Sequence, residues 1–326
     1  MSWFASELHT HTVHSDGKFT VEQLCRAAKE RELSLIALTD HNTSSGLRFL
    51  TKALEEETVP VIRGIEWTTF FGHMLVLGCG KHVDWRYVRP PEIDDRIREI
   101  HENGGIVGMA HPFSIGSPMY TGCSWEFQIR DYSLVDYIEV WSGTFPPVDS
   151  AENIRSIHFW SGLLDKGHRI AISYGRDWHH NKNDNEPQAA TMLGIDGERI
   201  TPELAMDAIR RGRTMITLGP VLDARVAAEG RQYVPGDVLP RGAQAVFTVR
   251  ADAETRRKVW GRFDIRCKTL RVVGEGERIL WEGALGDGET AGFELPLDQK
   301  WFRFELWGAC MGKSCPLCYS GAYYTE

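Results

Sequence analysis

Short runs of consecutive apolar residues recur along the first 219 residues, and each run has the length of a strand. Strands buried on both faces read as continuous apolar runs, whereas strands with one wet face alternate between apolar and polar residues. A first strand is predicted to end at His9, and a short return strand is predicted over 73–78. The other predicted strands are residues 33–39, 59–65, 106–110, 134–138, 169–174 and 214–218.

Segments with helical periodicity separate these strands. Apolar residues between 21 and 28 recur every three to four positions, and Thr20 with Gln23 forms a capping-box pattern before them. Thr201 followed by Pro202 indicates another helix start, because proline is favoured at the first helical position. Further helices are predicted over about 44–57, 93–104, 149–167 and 202–212.

Strands that alternate with helices predict an α/β fold, in which helices cover a mainly parallel sheet. A repeat of this length favours a closed or nearly closed barrel, whose strands end at one rim where catalytic side chains are placed. Beyond residue 219 the helical periodicity stops, and short alternating runs between Gly, Asp and Pro predict a small β-sandwich. The predicted domains are therefore 1–219 and 220–326.

The composition is that of an ordinary folded protein, with 42% hydrophobic and 25% charged residues. A net charge of −8 without a basic block argues against a nucleic-acid scaffold or a protein that binds membrane surfaces. No apolar run reaches the roughly 18 residues that a membrane span requires. Seven scattered cysteines argue against a disulfide framework, and the first motif begins too early for a signal peptide, so we expect a reduced, cytoplasmic protein.

Polar residues that can bind metal ions follow the predicted strands. His9 and His11 lie on the same face of an extended segment, because side chains alternate along a strand. Six of the twelve histidines fall at the predicted rim together with carboxylates. The candidate ligands are His9, His11, Asp16, His41, Glu66, His73, His111, Glu139, Asp177 and His179.

Some of these residues have other interpretations. Asp16 could be a turn residue before Gly17, and His73 could lie at a sheet edge. Glu139 could pair with an arginine instead of a metal ion. Asp40 is predicted to orient a histidine and not to bind the metal directly.

Imidazole and carboxylate ligands without thiolates suit Zn, Mn or Fe. Some nine ligands are too many for one ion, so the sequence predicts two or three divalent ions that share bridging carboxylates. Paired ions activate water and hold both the attacking and the leaving oxygen, which indicates hydrolysis.

Five motifs resemble, in order, those of the PHP (polymerase and histidinol phosphatase) family. They are His-Thr-His with Ser-Asp-Gly (9–17), Leu-Thr-Asp-His-Asn (38–42), Gly-Ile-Glu (64–66), Ala-His-Pro (110–112) and Gly-Arg-Asp-Trp-His (175–179). This resemblance covers residues 7 to about 220. It implies a distorted seven-stranded (β/α)7 barrel, two or three metal ions, and hydrolysis that is usually of phosphoesters.

The family's ligands fall on eight residues of this chain: His9, His11, Asp16, His41, Glu66, His111, Asp177 and His179. Segments 72–78 and 208–220 resemble the carbaryl-hydrolase-like group of this family, whose Gly-His motif matches His73. Glu139 occupies a position that varies in the family and stays a candidate.

Three residues are candidates for catalytic roles. Arg176 stands where the family usually has serine, and it could bind a phosphate oxygen with two donors or pair with Asp184 or Glu186. His180 is expected to face the substrate or solvent. Asp16 or a rim histidine would transfer the proton.

The prediction is therefore a metal-dependent phosphomonoesterase or phosphodiesterase that acts on a small, phosphorylated molecule through a metal-bridging hydroxide. A carbamate or amide hydrolase could use the same ligands. A non-catalytic protein that binds metal or glycan is the second alternative. The oligomeric state stays open.

Overall fold

The structure is a computed structural model that describes residues 1–115, 122–143, 151–181 and 186–326. Its helices are α1 (Val21–Glu30), α2 (Lys52–Glu57), α3 (Ile93–Glu102), α4 (Ala151–Asp165), α5 (Pro202–Arg210) and α6 (Arg257–Trp260). Its strands are β1 (Ser2–Glu7), β2 (Leu35–Leu38), β3 (Val61–Thr69), β4 (Gly72–Leu77), β5 (Ile106–Met109), β6 (Tyr137–Ser142), β7 (Ala171–Gly175), β8 (Ala190–Ile195), β9 (Thr214–Thr217), β10 (Val221–Ala228), β11 (Arg231–Tyr233), β12 (Val238–Leu239), β13 (Gln244–Asp252), β14 (Ile265–Gly274), β15 (Arg278–Ala284), β16 (Thr290–Pro296), β17 (Trp301–Cys310), β18 (Lys313–Ser320) and β19 (Tyr323–Thr325).

Strands β1 to β7 lie side by side in chain order within one large mixed sheet. The pairs β1–β2, β2–β3, β5–β6 and β6–β7 are parallel, whereas β4 runs antiparallel to both β3 and β5. The predicted α/β class and the predicted return strand at β4 are confirmed. All of β1 to β7 have buried residues, which agrees with their continuous apolar runs.

A closed (β/α)7 barrel is not confirmed, because the free edge of β1 is taken by β8. Strand β8, which the sequence pattern did not predict, pairs antiparallel with β1 and with β9. Strand β7 therefore meets β1 only beyond the strand ends. There Trp178 donates its N–H to the carbonyl of His9 and accepts a hydrogen bond from the N–H of His11, both at 3.0 Å.

The predicted helix starts are confirmed where a side chain caps them. Thr20 Oγ1 accepts from the N–H of Gln23, and Gln23 Oε1 accepts from the N–H of Thr20, which completes the capping box of α1. The helix predicted over 44–57 is divided into a short 3-10 turn and α2. The side chain of Thr51 caps the backbone N–H of Leu54 and so starts a new helix.

The chain after residue 220 is built mainly from strands. A four-stranded antiparallel sheet of β11, β10, β13 and β16 faces β17 across an aromatic core, in which the ring of Phe247 lies 5.6 Å from Phe302 and 6.0 Å from Phe304. Strand β18 pairs with β9, so the second half of the sandwich continues the large sheet. The boundary at 219–220 stays a prediction.

Among the described residues, no helix combines the length and the apolar character needed to cross a membrane. All seven cysteines are free thiols, as the sequence predicted, and five of them are buried.

Candidate metal centre

The structure brings nine of the ten predicted ligands together in three overlapping groups. Within each group the candidate ligand atoms lie within 4.8 Å of one another. His11 and Glu66 each belong to two groups, and they therefore join the three groups into one centre. The groups are His9, His11, Glu66 and Asp177; His11, Asp16, His41 and His179; and Glu66, His73 and His111.

The strands and the segments that follow them position these side chains. His9 and His11 lie just after β1, and the backbone pairing with Trp178 places them beside Asp177 and His179 after β7. His111 follows β5 with φ of 27°, and Asp177 has φ of 54°. Left-handed conformations cost free energy for such residues and are concentrated at functional sites.

Glu66 lies in the middle of the centre and is fully buried. Its charge is shared among imidazoles, which approach both carboxylate oxygens. The contacts are His73 Nδ1 at 3.0 Å and His111 Nε2 at 3.4 Å from Oε1, and His41 Nδ1 at 2.7 Å, His9 Nε2 at 3.2 Å and His11 Nε2 at 3.4 Å from Oε2.

Two aspartates complete the outer side of the centre. Asp177 Oδ1 lies 2.9 Å from His11 Nε2 and 3.3 Å from His9 Nε2. Asp16 Oδ1 lies 3.0 Å from His179 Nε2 and 3.4 Å from His41 Nε2. The side chain of Asp16 is 59% exposed, so Asp16 is the most exposed carboxylate of the three groups.

The carboxylates of the centre stay ionised despite their burial. Burial alone would raise the pKa of Glu66, but the charge of His9 and hydrogen bonds with His111, His41 and His73 hold that pKa well below its ordinary value. In the same way, burial opposes the lowering of the pKa of Asp177, and the charge of His9 and the hydrogen bond with His11 outweigh it. Ionised carboxylates are the form that attracts cations.

His41 and His9 respond in the opposite direction, whereas burial lowers the pKa of His11. Burial lowers the pKa of His41, but hydrogen bonds with Asp16 and Glu66 outweigh burial and raise that pKa to about 10. The pKa of His9 is also raised, because the charges of Glu66, Glu139 and Asp177 outweigh its desolvation. A metal ion would replace these protons, because only a neutral imidazole can ligate it.

The donor set fits divalent cations. Buried polar atoms normally have hydrogen-bond partners. Among the described residues, several buried atoms of the centre have no partner beyond the imidazole–carboxylate contacts within the centre itself, namely His9 Nε2, both ring nitrogens of His11 and of His73, both carboxylate oxygens of Glu66, His111 Nδ1 and Asp177 Oδ1. Metal ions would satisfy these lone pairs, and the combination of imidazole with carboxylate suits Zn, Mn or Fe.

Glu139, the tenth predicted ligand, is outside the three groups. Its Oε1 lies 3.0 Å from Nδ1 of His9, on the side of the ring opposite the nitrogen that faces Glu66. Its Oε2 accepts a hydrogen bond from the backbone N–H of His111 at 2.8 Å. Glu139 therefore orients two candidate ligands, as carboxylates behind metal-bound histidines commonly do.

We expect Glu139→Gln to weaken metal affinity about 10- to 100-fold, as loss of an orienting partner usually does. An amide has one acceptor oxygen, whereas His9 and the N–H of His111 each need one. Competition with a fluorescent chelator would measure the affinity. Glu294→Gln, on β16 of the sandwich, is the control, and equal affinities of the two variants would contradict the orienting role.

Asp40 orients the loop after His11 and not a histidine. Its Oδ1 accepts from the N–H of Thr12 at 2.6 Å and from the hydroxyl of Ser15 at 2.8 Å. These bonds stabilise the turn that carries Asp16. Asp40 was predicted to orient a histidine, and in the described residues it acts on the backbone of the loop that follows His11.

Two residues that the sequence analysis missed also contact candidate ligands. Thr68 Oγ1 lies 2.6 Å from Nδ1 of His41. Glu7 is buried and accepts from the backbone N–H groups of His9 and Arg176 at 3.0 and 3.1 Å, and burial raises its pKa to about 8. Glu7 lies two positions before His9, and Thr68 lies two positions after Glu66. Because residues two apart in an extended segment share a face, this spacing could have predicted that both side chains lie near the centre.

The two other candidate catalytic residues lie around Trp178. The buried guanidinium of Arg176 stacks 4.7 Å from the ring of Trp178. His180 is half-buried, and its carbonyl accepts from Nε1–H of Trp178 at 2.9 Å. Neither residue belongs to the three groups. Asp184, one proposed partner of Arg176, lies outside the described residues.

Comparison with known proteins identifies the family. Residues 7–102 match the PHP domain model. The chain is 34% identical over 121 residues to an uncharacterized protein of Methanocaldococcus jannaschii. The aligned region covers 33% of this chain and 68% of that protein. The chain is also 32% identical over 161 residues to a 3',5'-nucleoside bisphosphate phosphatase of Chromobacterium violaceum. That alignment covers 49% of this chain and 50% of the phosphatase.

A solved structure extends the comparison to the whole fold. It is a two-domain protein from Bacteroides vulgatus containing a predicted PHP-like metal-dependent phosphoesterase. The TM-score is 0.54 at 15% identity, over 98% of this chain and 95% of that chain. At this identity the likeness concerns the fold alone. The family follows from the matched domain model and from the Methanocaldococcus jannaschii relative, of which two thirds is covered. The chain is therefore an enzyme of the PHP domain family.

Proposed function

We propose that the chain is a metal-dependent phosphoesterase that acts on a small phosphorylated molecule. The observation that supports this most strongly is the sharing of His11 and Glu66 between groups of candidate ligands, which suits two or three neighbouring cations. When bound, such cations supply charge neutralisation for the phosphate and activation of a water molecule. The name of the Chromobacterium violaceum relative supports a phosphoester substrate.

The residues of the chain divide into those that hold cations and those that meet the substrate. His9, His11, Glu66 and Asp177 would hold one cation, of which the first three are buried and Asp177 is half-buried. Asp16 and His179 are more exposed and share a contact of 3.0 Å between Oδ1 and Nε2. Where its ring is not held by a cation, His179 is suited to donate a proton to the leaving oxygen, and Asp16 would hold that ring in position.

Arg176 and His180 have supporting roles in this proposal. Because Arg176 stacks on Trp178 and donates its backbone N–H to Glu7, it stabilises the segment that carries Asp177 and His179. His180 follows this segment at the half-buried outer side and is proposed to face the substrate. We also propose that the chain belongs to the carbaryl-hydrolase-like group. Hydrolysis of a carbamate is therefore the alternative to hydrolysis of a phosphoester.

Metal dependence and bond type can be tested in one experiment. Protein treated with a chelator should lose hydrolysis of p-nitrophenyl phosphate, and added Zn, Mn or Fe should restore it, because bound cations would activate the attacking water molecule. Bis-p-nitrophenyl phosphate would reveal diesterase activity. Reconstituted protein that cleaves an aryl carbamate but neither phosphoester would contradict the proposal, and so would protein that binds no metal.

A further inference from the structure

Two large aromatic side chains are exposed close to the metal centre. Phe70, at the turn of the β3–β4 hairpin, is 74% exposed, and Tyr87, in the loop after β4, is 94% exposed. Together with Phe71 and Trp85 they line a cleft of about 460 Å³, which we call the hairpin cleft. Single exposed apolar residues are common, but several aromatic rings around one cleft are typical of a binding surface.

Thr68 is shared by the hairpin cleft and the surroundings of the metal centre. Thr68 lines the cleft, and its hydroxyl lies 2.6 Å from Nδ1 of His41. Across the hairpin Thr68 pairs directly with His73, another candidate ligand. Phe70 comes two residues after Thr68, a separation of about 7 Å along an extended chain. A ring in the cleft is therefore within reach of a phosphate at the centre through a short linker.

Positive charge accompanies the aromatic rings. Arg86 and Arg89 both line the cleft. Arg86 is held by Asp84 through two contacts of 2.9 Å, which balance its charge. In the described parts of the chain no carboxylate forms an ion pair with the guanidinium of Arg89, although Glu92 Oε2 accepts from its backbone N–H at 2.9 Å, so this guanidinium can attract an anionic substrate.

The backbone of Tyr87 has an unusual conformation. Its φ of 68° is left-handed, which is unfavourable for a bulky residue. His111 and Asp177 in the metal centre share this feature, as do six other described residues that are not glycine. Because the ring of Tyr87 is almost fully exposed, burial of the ring in the protein does not account for the strained conformation.

We propose that the hairpin cleft binds a planar aromatic ring carried by the substrate, as in a nucleotide or an aryl phosphate. The inference rests on the proposed phosphoesterase function and specifies its substrate class. The ring would stack on Phe70 and Tyr87 while its phosphate lies at the metal centre. Arg89 would contribute attraction for the negative charge of the substrate.

Substitutions in the cleft test this proposal on metal-replete protein. We would compare adenosine 5'-monophosphate, phenyl phosphate and glycerol 3-phosphate, which has no ring. For Phe70→Ala and Tyr87→Ala, the KM for a ring-bearing substrate relative to that for glycerol 3-phosphate should rise about tenfold, the usual effect of losing a stacking partner. The kcat should stay constant, because stacking binds ground and transition states equally.

The pattern over the substrates identifies the ligand or overturns the proposal. A rise for the nucleotide alone assigns the cleft to a nucleobase, and a rise for both ring-bearing substrates assigns it to any planar ring. Equal changes for all three substrates, or none, would refute the cleft as a ring site. Met311→Ala is the control, since Met311 is 53% exposed on the turn between β17 and β18.

Failure of the phosphoesterase proposal would be recognised separately. In that case wild-type protein would hydrolyse none of the three phosphates. Calorimetric titration of the wild type and Tyr87→Ala with adenosine 5'-monophosphate would still test the cleft. Binding about tenfold weaker in the variant would support the ring site, and equal binding would refute it.

Discussion

Glu66→Gln is expected to reduce phosphoesterase turnover by at least about 100-fold. Loss of a residue that only orients a metal ligand already costs about 10- to 100-fold in metal affinity or activity. Glutamine keeps the shape of the side chain and removes its charge. Glu66 lies within 3.4 Å of imidazole nitrogens on both oxygens and belongs to two of the three ligand groups. A single substitution therefore affects more than one cation.

Metal analysis of the purified variant should show a lower metal-to-protein ratio than the wild type, measured on protein that is folded by circular dichroism. Glu305→Gln is a matched control, because Glu305 is also a buried glutamate, in the sandwich, where its Oε1 lies 2.8 Å from Arg303. The control should keep its metal even where its unfolding temperature falls. Full turnover and full metal content in Glu66→Gln would refute the central role of Glu66.

The candidate ligands could be proposed from the sequence because each lies in a short motif at or near the end of a predicted strand. His9 and His11 follow from the two-residue period of an extended chain, and His111 and Asp177 follow from apolar runs that end at polar residues. Local patterns of this kind need no knowledge of distant contacts. The same reasoning correctly identified the return strand that carries His73.

Features that depend on distant partners could not be predicted. Strand β8 occupies the edge of β1, and its pairing is decided by the whole sheet and not by its own six residues. Glu139 was proposed as a ligand because it is a carboxylate on a strand, yet only the fold shows that it faces Nδ1 of His9. Likewise, the hairpin cleft forms between segments that are separate in sequence.

Gly17 of the Ser-Asp-Gly motif is expected to be essential for the geometry of the centre. A Cβ on Gly17 would lie 2.4 Å from the carbonyl oxygen of His11 and 2.7 Å from the backbone nitrogen of Thr12. These are backbone atoms, so neither can rotate away as a flexible side chain would. The neighbouring Lys18 also donates its N–H to the carbonyl of His179 at 2.6 Å. A shift of the backbone at Gly17 would therefore displace Asp16 and also the candidate ligands His11 and His179.

We expect Gly17→Ala to lower kcat/KM about 100-fold, the cost of a displacement of roughly 1 Å between reacting groups. The cause is position and not chemistry, because the substitution leaves every ligand side chain in place. Gly197→Ala provides the comparison, since a Cβ there meets no atom within 4 Å. Kinetics with p-nitrophenyl phosphate and metal analysis would be measured on both variants. Wild-type activity in Gly17→Ala would show that the turn adapts and that the close approach of Gly17 to His11 does not determine the position of Asp16.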